Sequence, residues 1–93
     1  MSEMQFLSKL RDFLNENGSI YTVRRYKYRI TEVYVESVGR CKRTLIRYVS
    51  NKEELSDYVE QSGFSTVEEW WKTIRAFVPM GGDMWLFKVV VKK

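Results

Sequence analysis

The segment Met84-Trp85-Leu86-Phe87-Lys88-Val89-Val90-Val91 carries apolar residues at both odd and even positions. Successive side chains of a β-strand point to opposite faces of a sheet, so this segment predicts a strand that is buried on both faces. Such a strand lies in the centre of a sheet, with a strand on either side and other elements covering both faces. The rest of the chain must supply those neighbours and that cover.

Neighbouring strands are predicted between Tyr21 and Val49. The segment up to Ile30 alternates, with Tyr26, Tyr28 and Ile30 on one face and Arg25, Lys27 and Arg29 on the other. The apolar residues shift from even to odd positions before Val33, which predicts a turn or bulge near Thr31-Glu32. Beyond Gly39, a further strand runs from Cys41 to Val49 and carries Arg43 and Arg47 on the same side as Leu45.

Three helices complete the pattern. The first runs from about residue 2 to 16 and ends at Gly18, and the third, which begins near Ser65 and buries Trp70, is stopped by Pro79. Capping-box spacing marks all three starts: Ser2 and Gln5, Ser50 and Glu53, Ser65 and Glu68. The predicted fold is one α+β domain over residues 1–93, with an N-terminal helix, a small curved mixed sheet over about 19–92, and two helices before the last strand.

Composition excludes several classes of function. The 93 residues contain no His, so Ser-His and Cys-His nucleophile systems and His-containing zinc sites are excluded. We therefore predict no catalytic residue, metal ligand or cofactor. Cys41 is the single cysteine and is expected to be a small buried residue. No apolar stretch approaches the roughly 20 residues of a membrane span, and the N-terminus lacks a signal-peptide pattern, so a cytoplasmic protein without membrane contact is expected.

Positive charge is concentrated in the predicted strands. From Tyr21 to Val49 there are eight of the sixteen Lys and Arg residues, against only Glu32 and Glu36. Basic side chains that alternate with aromatic residues suit a polyphosphate whose nucleobases stack on aromatic rings. The candidate nucleic-acid-binding residues are Arg24, Arg25, Tyr26, Lys27, Tyr28, Arg29, Arg40, Lys42, Arg43 and Arg47.

Each of these features also has a purely structural interpretation. The bases would equally form a solvated face that protects an edge strand, and strand tyrosines are more often packing residues. The pairs Glu53-Glu54 and Glu68-Glu69 are expected to offset helix dipoles rather than to act in acid–base chemistry. The acidic helices or the Trp-rich helix would serve as the contact surface if the protein is instead a protein-interaction domain.

Two segments resemble the ASCH domains, which are small PUA-like β-barrels. Residues 62–75, SGFSTVEEWWKTIR, followed by Trp85-Leu86-Phe87-Lys88-Val89, are similar to the C-terminal part of that family, and Tyr21-Thr22-Val23-Arg24 is similar to its T-[IV]-R segment. The resemblance implies a PUA-like partial barrel, an RNA or modified-nucleotide ligand in a cleft beside the basic strands, and Arg24 as a ligand contact.

One departure from the family bears on activity. The family places Gly and Lys before T-[IV]-R, whereas here Gly18 is one position off and Ser19 stands where the Lys belongs. That lysine is part of the catalytic apparatus of the ASCH-like hydrolases, so the enzymatic role is not carried over. An RNA-binding module is the leading hypothesis, and a small hydrolase acting on modified nucleosides or RNA is the alternative.

Overall fold

The computed structural model of the chain describes residues 2–78 and 81–92. In chain order the elements are β1 (Ser2–Met4), α1 (Ser8–Asn17), β2 (Ser19–Arg24), β3 (Glu32–Val35), β4 (Gly39–Val49), a 3₁₀ helix (Lys52–Gln61), α2 (Val67–Phe77) and β5 (Met84–Val91). Within these ranges no helix has the length and apolar character needed to cross a membrane.

The strands form one open five-stranded mixed sheet in the order β1-β3-β4-β5-β2. β1 pairs with β3 in parallel, and the other pairs are antiparallel. β5 lies between β4 and β2, and Leu86 and Phe87, on opposite faces, are both buried. The α+β class and the internal position of the last strand are thus confirmed.

The core occupies both faces of the sheet. By register, Ile20, Val33, Cys41 and Val89 lie on one face, and all are buried. On the other face the 3₁₀ helix packs against β2 and β4, and the Tyr58 ring meets Tyr21 at a centroid distance of 4.9 Å. Burial raises the pKa of the Cys41 thiol, as expected for a small core residue.

The N-terminal helix begins later than predicted. Residues Ser2–Met4 form β1, and α1 begins at Ser8 after Leu7, which makes no side-chain cap. The strand forms because Ser2–Met4 pairs with Val33–Val35 and buries Met4, a long-range gain that the capping-box spacing of Ser2 and Gln5 did not outweigh. The end of the helix is as predicted, since Gly18 takes the left-handed conformation at φ 81°.

The other two helix starts lie one residue beyond their predicted positions. Asn51 and Glu54 form the capping box of the 3₁₀ helix, and the side chain of Thr66 accepts a hydrogen bond from the Glu69 amide at the start of α2. Trp70 is buried, as predicted for the core of the third helix. Pro79, the predicted stop, lies outside the described residues.

The strand predicted over residues 21–30 is wrong in its second half. β2 ends at Arg24, and residues 25–31 form a loop, which we call the cationic loop. The loop is anchored to β4, because the Arg43 amide donates to the Thr31 carbonyl (2.6 Å) and its side chain donates to the Ile30 carbonyl. Its tyrosines and bases therefore do not alternate across a sheet.

Candidate functional site

A cleft of about 620 Å³ opens between the β1–α1 connection, the end of β2 and helix α2. Six of its sixteen lining residues are aromatic, and two are arginines. The aromatic residues are Phe6, Tyr26, Tyr28, Phe64, Trp70 and Phe77, and the arginines are Arg24 and Arg25. We call this space the aromatic cleft.

Arg24, the last residue of β2, is partly buried in the wall of the cleft. Its Nη2 donates to the Gln5 carbonyl (2.7 Å), and its guanidinium lies 4.8 Å from the centroid of the Phe6 ring. Its Nε is buried and has no hydrogen-bond partner among the described residues. Burial, and after it the charge of Arg43, lowers the pKa of Arg24 to about 10, while Tyr28 acts in the opposite direction.

Arg43 of β4 is only 4% exposed. Its Nε and Nη2 both donate to the Ile30 carbonyl, at 3.2 and 2.9 Å. The guanidinium also lies 4.3 Å from the Tyr28 ring centroid and 5.5 Å from that of Phe87. Burial lowers the pKa of Arg43 as well. Within residues 2–78 and 81–92, no carboxylate forms an ion pair with Arg24 or Arg43.

A second cavity of about 310 Å³ contains both of these arginines in its lining. We call it the arginine cavity. Gln5, Arg24 and Tyr28 line both the arginine cavity and the aromatic cleft, so the two spaces adjoin. The remaining lining residues of the arginine cavity are Ser2, Glu3, Met4 and Arg43. Burying two cations without an acid is unfavourable unless an anion accompanies them.

The cationic loop lies beside these cavities and exposes its side chains. Tyr26 is 54% exposed and Tyr28 is 41% exposed, with their rings edge-on at a centroid distance of 6.0 Å. Arg25 lies over the Tyr26 ring at 4.9 Å, and Lys27 lies over Trp85 at 5.3 Å. Arg29 is exposed as well. Cations and open aromatic faces are thus adjacent to the cleft entrance.

The remaining predicted residues lie elsewhere, so the ten candidates do not share one face. By register Arg40 and Lys42 are on the face of β4 opposite Arg43, and both are exposed. Arg47 forms an ion pair with Glu54. A bulge between Leu45 and Arg47 changes the parity of β4, which corrects the prediction that Arg43 and Arg47 share a side.

Three residues of the cleft were not foreseen from the sequence. Gln5 and Phe6 fall within the helix predicted over about residues 2–16, and Phe77 falls within the third predicted helix. Gln5 and Phe6 instead belong to the β1–α1 connection, and Phe77 is 64% exposed at the end of α2. No local signal marks Gln5 and Phe6 as cleft residues, because their positions follow from the pairing of β1 with β3.

The acidic residues do not converge on the cleft. Glu68 and Glu69 lie in the first turn of α2, and Glu54 caps the 3₁₀ helix. Backbone amides, above all that of Ser50, hold the pKa of Glu54 below its usual value. Over the described ranges, no three His, Cys, Asp or Glu side chains are grouped so as to hold a metal ion.

No protein-family model, curated protein or solved structure matches this chain.

Proposed function

We propose that the protein binds single-stranded RNA, with phosphates at the arginines and at least one base in the aromatic cleft. The observation that carries the proposal is the pair Arg24 and Arg43. Arg43 is buried and Arg24 is partly buried, and neither has a carboxylate partner among the described residues. Both line the arginine cavity, which adjoins a cleft with six aromatic residues in its lining. Guanidinium groups match phosphate oxygens in geometry and charge, and every nucleobase stacks on an aromatic face.

The cationic loop supports the same function. Arg25, Lys27 and Arg29 are exposed next to the cleft, where a strand leaving it would pass. Contacts of this type add affinity that falls as salt concentration rises, because each phosphate contact releases condensed counterions. Tyr26 and Tyr28 provide further stacking surfaces in the same segment.

The preference for RNA over DNA, and the finer description of the fold as PUA-like, rest on the resemblance to ASCH domains. The cleft supports that resemblance in one respect. Arg24, the residue that matches the family's T-[IV]-R segment, lines both cavities.

The test compares two charge-matched variants in RNA binding over a salt series. Arg25→Ala/Lys27→Ala changes the loop, and Arg40→Ala/Lys42→Ala changes the opposite side of the sheet, each removing two positive charges. For the wild type we expect measurable binding of a mixed-sequence RNA at low salt. The loop variant should lower the salt slope by about 0.7 for each lost contact.

The variant of the opposite face should retain the wild-type slope and most of the affinity. Equal losses in both variants would show attraction to net charge alone and would contradict the proposed site. Absence of RNA binding by the wild type at low salt would overturn the function itself. Equal binding of a DNA strand of the same sequence would remove the preference for RNA.

A further inference from the structure

The arginine cavity and the aromatic cleft together have the form of a site for the end of a strand rather than for its interior. Two features of the cavities bear on this: the number of positive charges in the smaller one, and the way in which the two adjoin. This inference rests on the proposed RNA-binding function and specifies its ligand.

The positive charge in the arginine cavity exceeds the negative charge that an internal phosphate would supply. Arg24 and Arg43 bring two positive charges. Glu3, the one acidic residue of the described lining, pairs with neither, and by register its side chain lies with Tyr34 and Arg40 on the opposite face of the sheet. An internal phosphodiester carries a single negative charge. A terminal phosphate monoester carries about 1.5 to 2 negative charges at neutral pH and offers three terminal oxygens.

The two guanidinium groups also retain unused hydrogen-bond donors among the described residues. Arg43 uses Nε and Nη2 on one carbonyl, that of Ile30, and Arg24 uses Nη2 on the Gln5 carbonyl. The buried Nε of Arg24 has no partner among the described residues. A buried donor without an acceptor is unfavourable, and a phosphate oxygen is an acceptor that would relieve it.

The size and order of the two spaces fit a terminal nucleotide. Arg24 and Arg43 both line the smaller space, of about 310 Å³. Most of the aromatic residues line the larger space, of about 620 Å³. Gln5, Arg24 and Tyr28 border both, so a phosphate and its own base would lie on either side of Arg24. The rest of the strand would then leave along Arg25 and Tyr26, which line only the larger space.

We propose that the protein recognises a terminal phosphate monoester of single-stranded RNA, held between Arg24 and Arg43, with the terminal base in the aromatic cleft. Arg24 is the main determinant, because it contacts both spaces.

The experiment measures the affinity of short RNAs of one sequence that carry a 5′-phosphate, a 3′-phosphate or hydroxyls at both ends. The wild type should prefer one phosphorylated end by tenfold or more, and the two phosphorylated strands identify which end is bound. Arg24→Lys keeps the charge but loses the planar fork, so the preference should fall to about threefold or less. Affinity for the hydroxyl-ended strand should fall by a smaller factor than affinity for the phosphorylated strand.

A second variant does not depend on any perturbation of the arginines. Glu3→Gln removes an exposed carboxylate that by register lies on the face of the sheet opposite Arg43, so it should leave the preference for the phosphorylated end unchanged. Equal affinity of the wild type for all three strands would overturn the recognition of an end and leave the RNA-binding function intact. Failure to bind any of them would overturn both. A preference that Arg24→Lys leaves unchanged, or that Glu3→Gln lowers as much as Arg24→Lys does, would also overturn it.

Discussion

Arg24 and Arg43 lie on the same face of the sheet, on the two strands that flank β5. Burial lowers the pKa of Arg24 to about 10; Tyr28 raises this pKa, and the charge of Arg43, a smaller effect, lowers it. Two positively charged side chains rarely line one cavity without an acidic partner. Groups with perturbed pKa values concentrate at functional sites. The relationship makes the cleft, rather than the open sheet face, the principal candidate site.

The first prediction is that inorganic phosphate stabilises the wild-type protein through this pair. A ligand that binds only the folded state raises the free energy of unfolding by RT ln(1 + [L]/Kd). For a domain of this size each kcal/mol raises Tm by roughly 4–8 °C. We expect a Tm increase in phosphate relative to chloride of matched ionic strength, measured by thermal denaturation.

The double variant Arg24→Met/Arg43→Met should lose this increase, whereas Arg40→Met/Lys42→Met should keep it. The second pair removes the same charge from the opposite face. An equal response to phosphate in both variants would contradict binding at the arginine cavity.

The second prediction concerns the anchoring of the cationic loop. Arg43→Met removes the two side-chain hydrogen bonds to the Ile30 carbonyl and leaves the backbone bond to Thr31 in place. A hydrogen bond to a charged group contributes about 1.5–3 kcal/mol, so the loop should open at least tenfold more often. Trypsin cleavage after Arg25, Lys27 or Arg29, followed by mass spectrometry, measures this directly. Unchanged cleavage rates at these sites would show that the side chain does not anchor the loop.

The third prediction is a pH dependence at Glu54. Its pKa is lower in the folded protein than its usual value of 4.5, because the amides of Ser50 and Asn51 and the charge of Arg47 favour the carboxylate. The resulting stabilisation is fully present above pH 4.5 and is lost as pH falls through the folded-state pKa.

Glu54→Gln keeps an acceptor oxygen but removes the charge. The Tm of the variant should therefore be lower than that of the wild type at pH 7. The difference should shrink below pH 4.5 and disappear in strong acid. A difference that stays constant across this range would assign the effect to the shape of the side chain instead.

The fourth prediction compares two glycines with similar backbone angles. Gly18 and Gly63 have φ values of 81° and 86°, so alanine is strained at either position. A Cβ at Gly18 would meet nothing within 4 Å, whereas at Gly63 it would lie 2.7 Å from Leu10 Cδ2. Gly18→Ala should cost about 1 kcal/mol, and Gly63→Ala should cost more by the rearrangement of Leu10. Chemical denaturation of both variants measures the difference, and equal costs would show that Leu10 moves freely.

Several structural elements could be read from local sequence. The central strand was predicted because its apolar residues occupy both faces, and the ends of helices were marked by Gly18 and by capping side chains. The caps were placed one residue too early at the last two helices, since Ser50 and Asn51, or Ser65 and Thr66, are adjacent residues that can each cap a helix.

Other features were not accessible to local reasoning. The local sequence of Ser2–Met4 predicts a helix. The segment forms strand β1 instead because it pairs with Val33–Val35, about thirty positions away. The end of β2 at Arg24 was missed because the chain continues with a pattern that suits a strand. The loop forms there through the hydrogen bonds of Arg43 to the Ile30 and Thr31 carbonyls.

The sequence by itself determined the composition of the site: a chain rich in bases and aromatic residues between Tyr21 and Val49, with no histidine and one cysteine. Only the tertiary structure decided which of those bases act together. It placed Arg24 and Arg43 in the lining of the arginine cavity and Arg40 and Lys42 on the opposite face of the sheet. The physical reason is that residue type and alternation are local properties. Burial and charge proximity depend on strand register and on the bulge at Leu45–Arg47, which are set by long-range pairing.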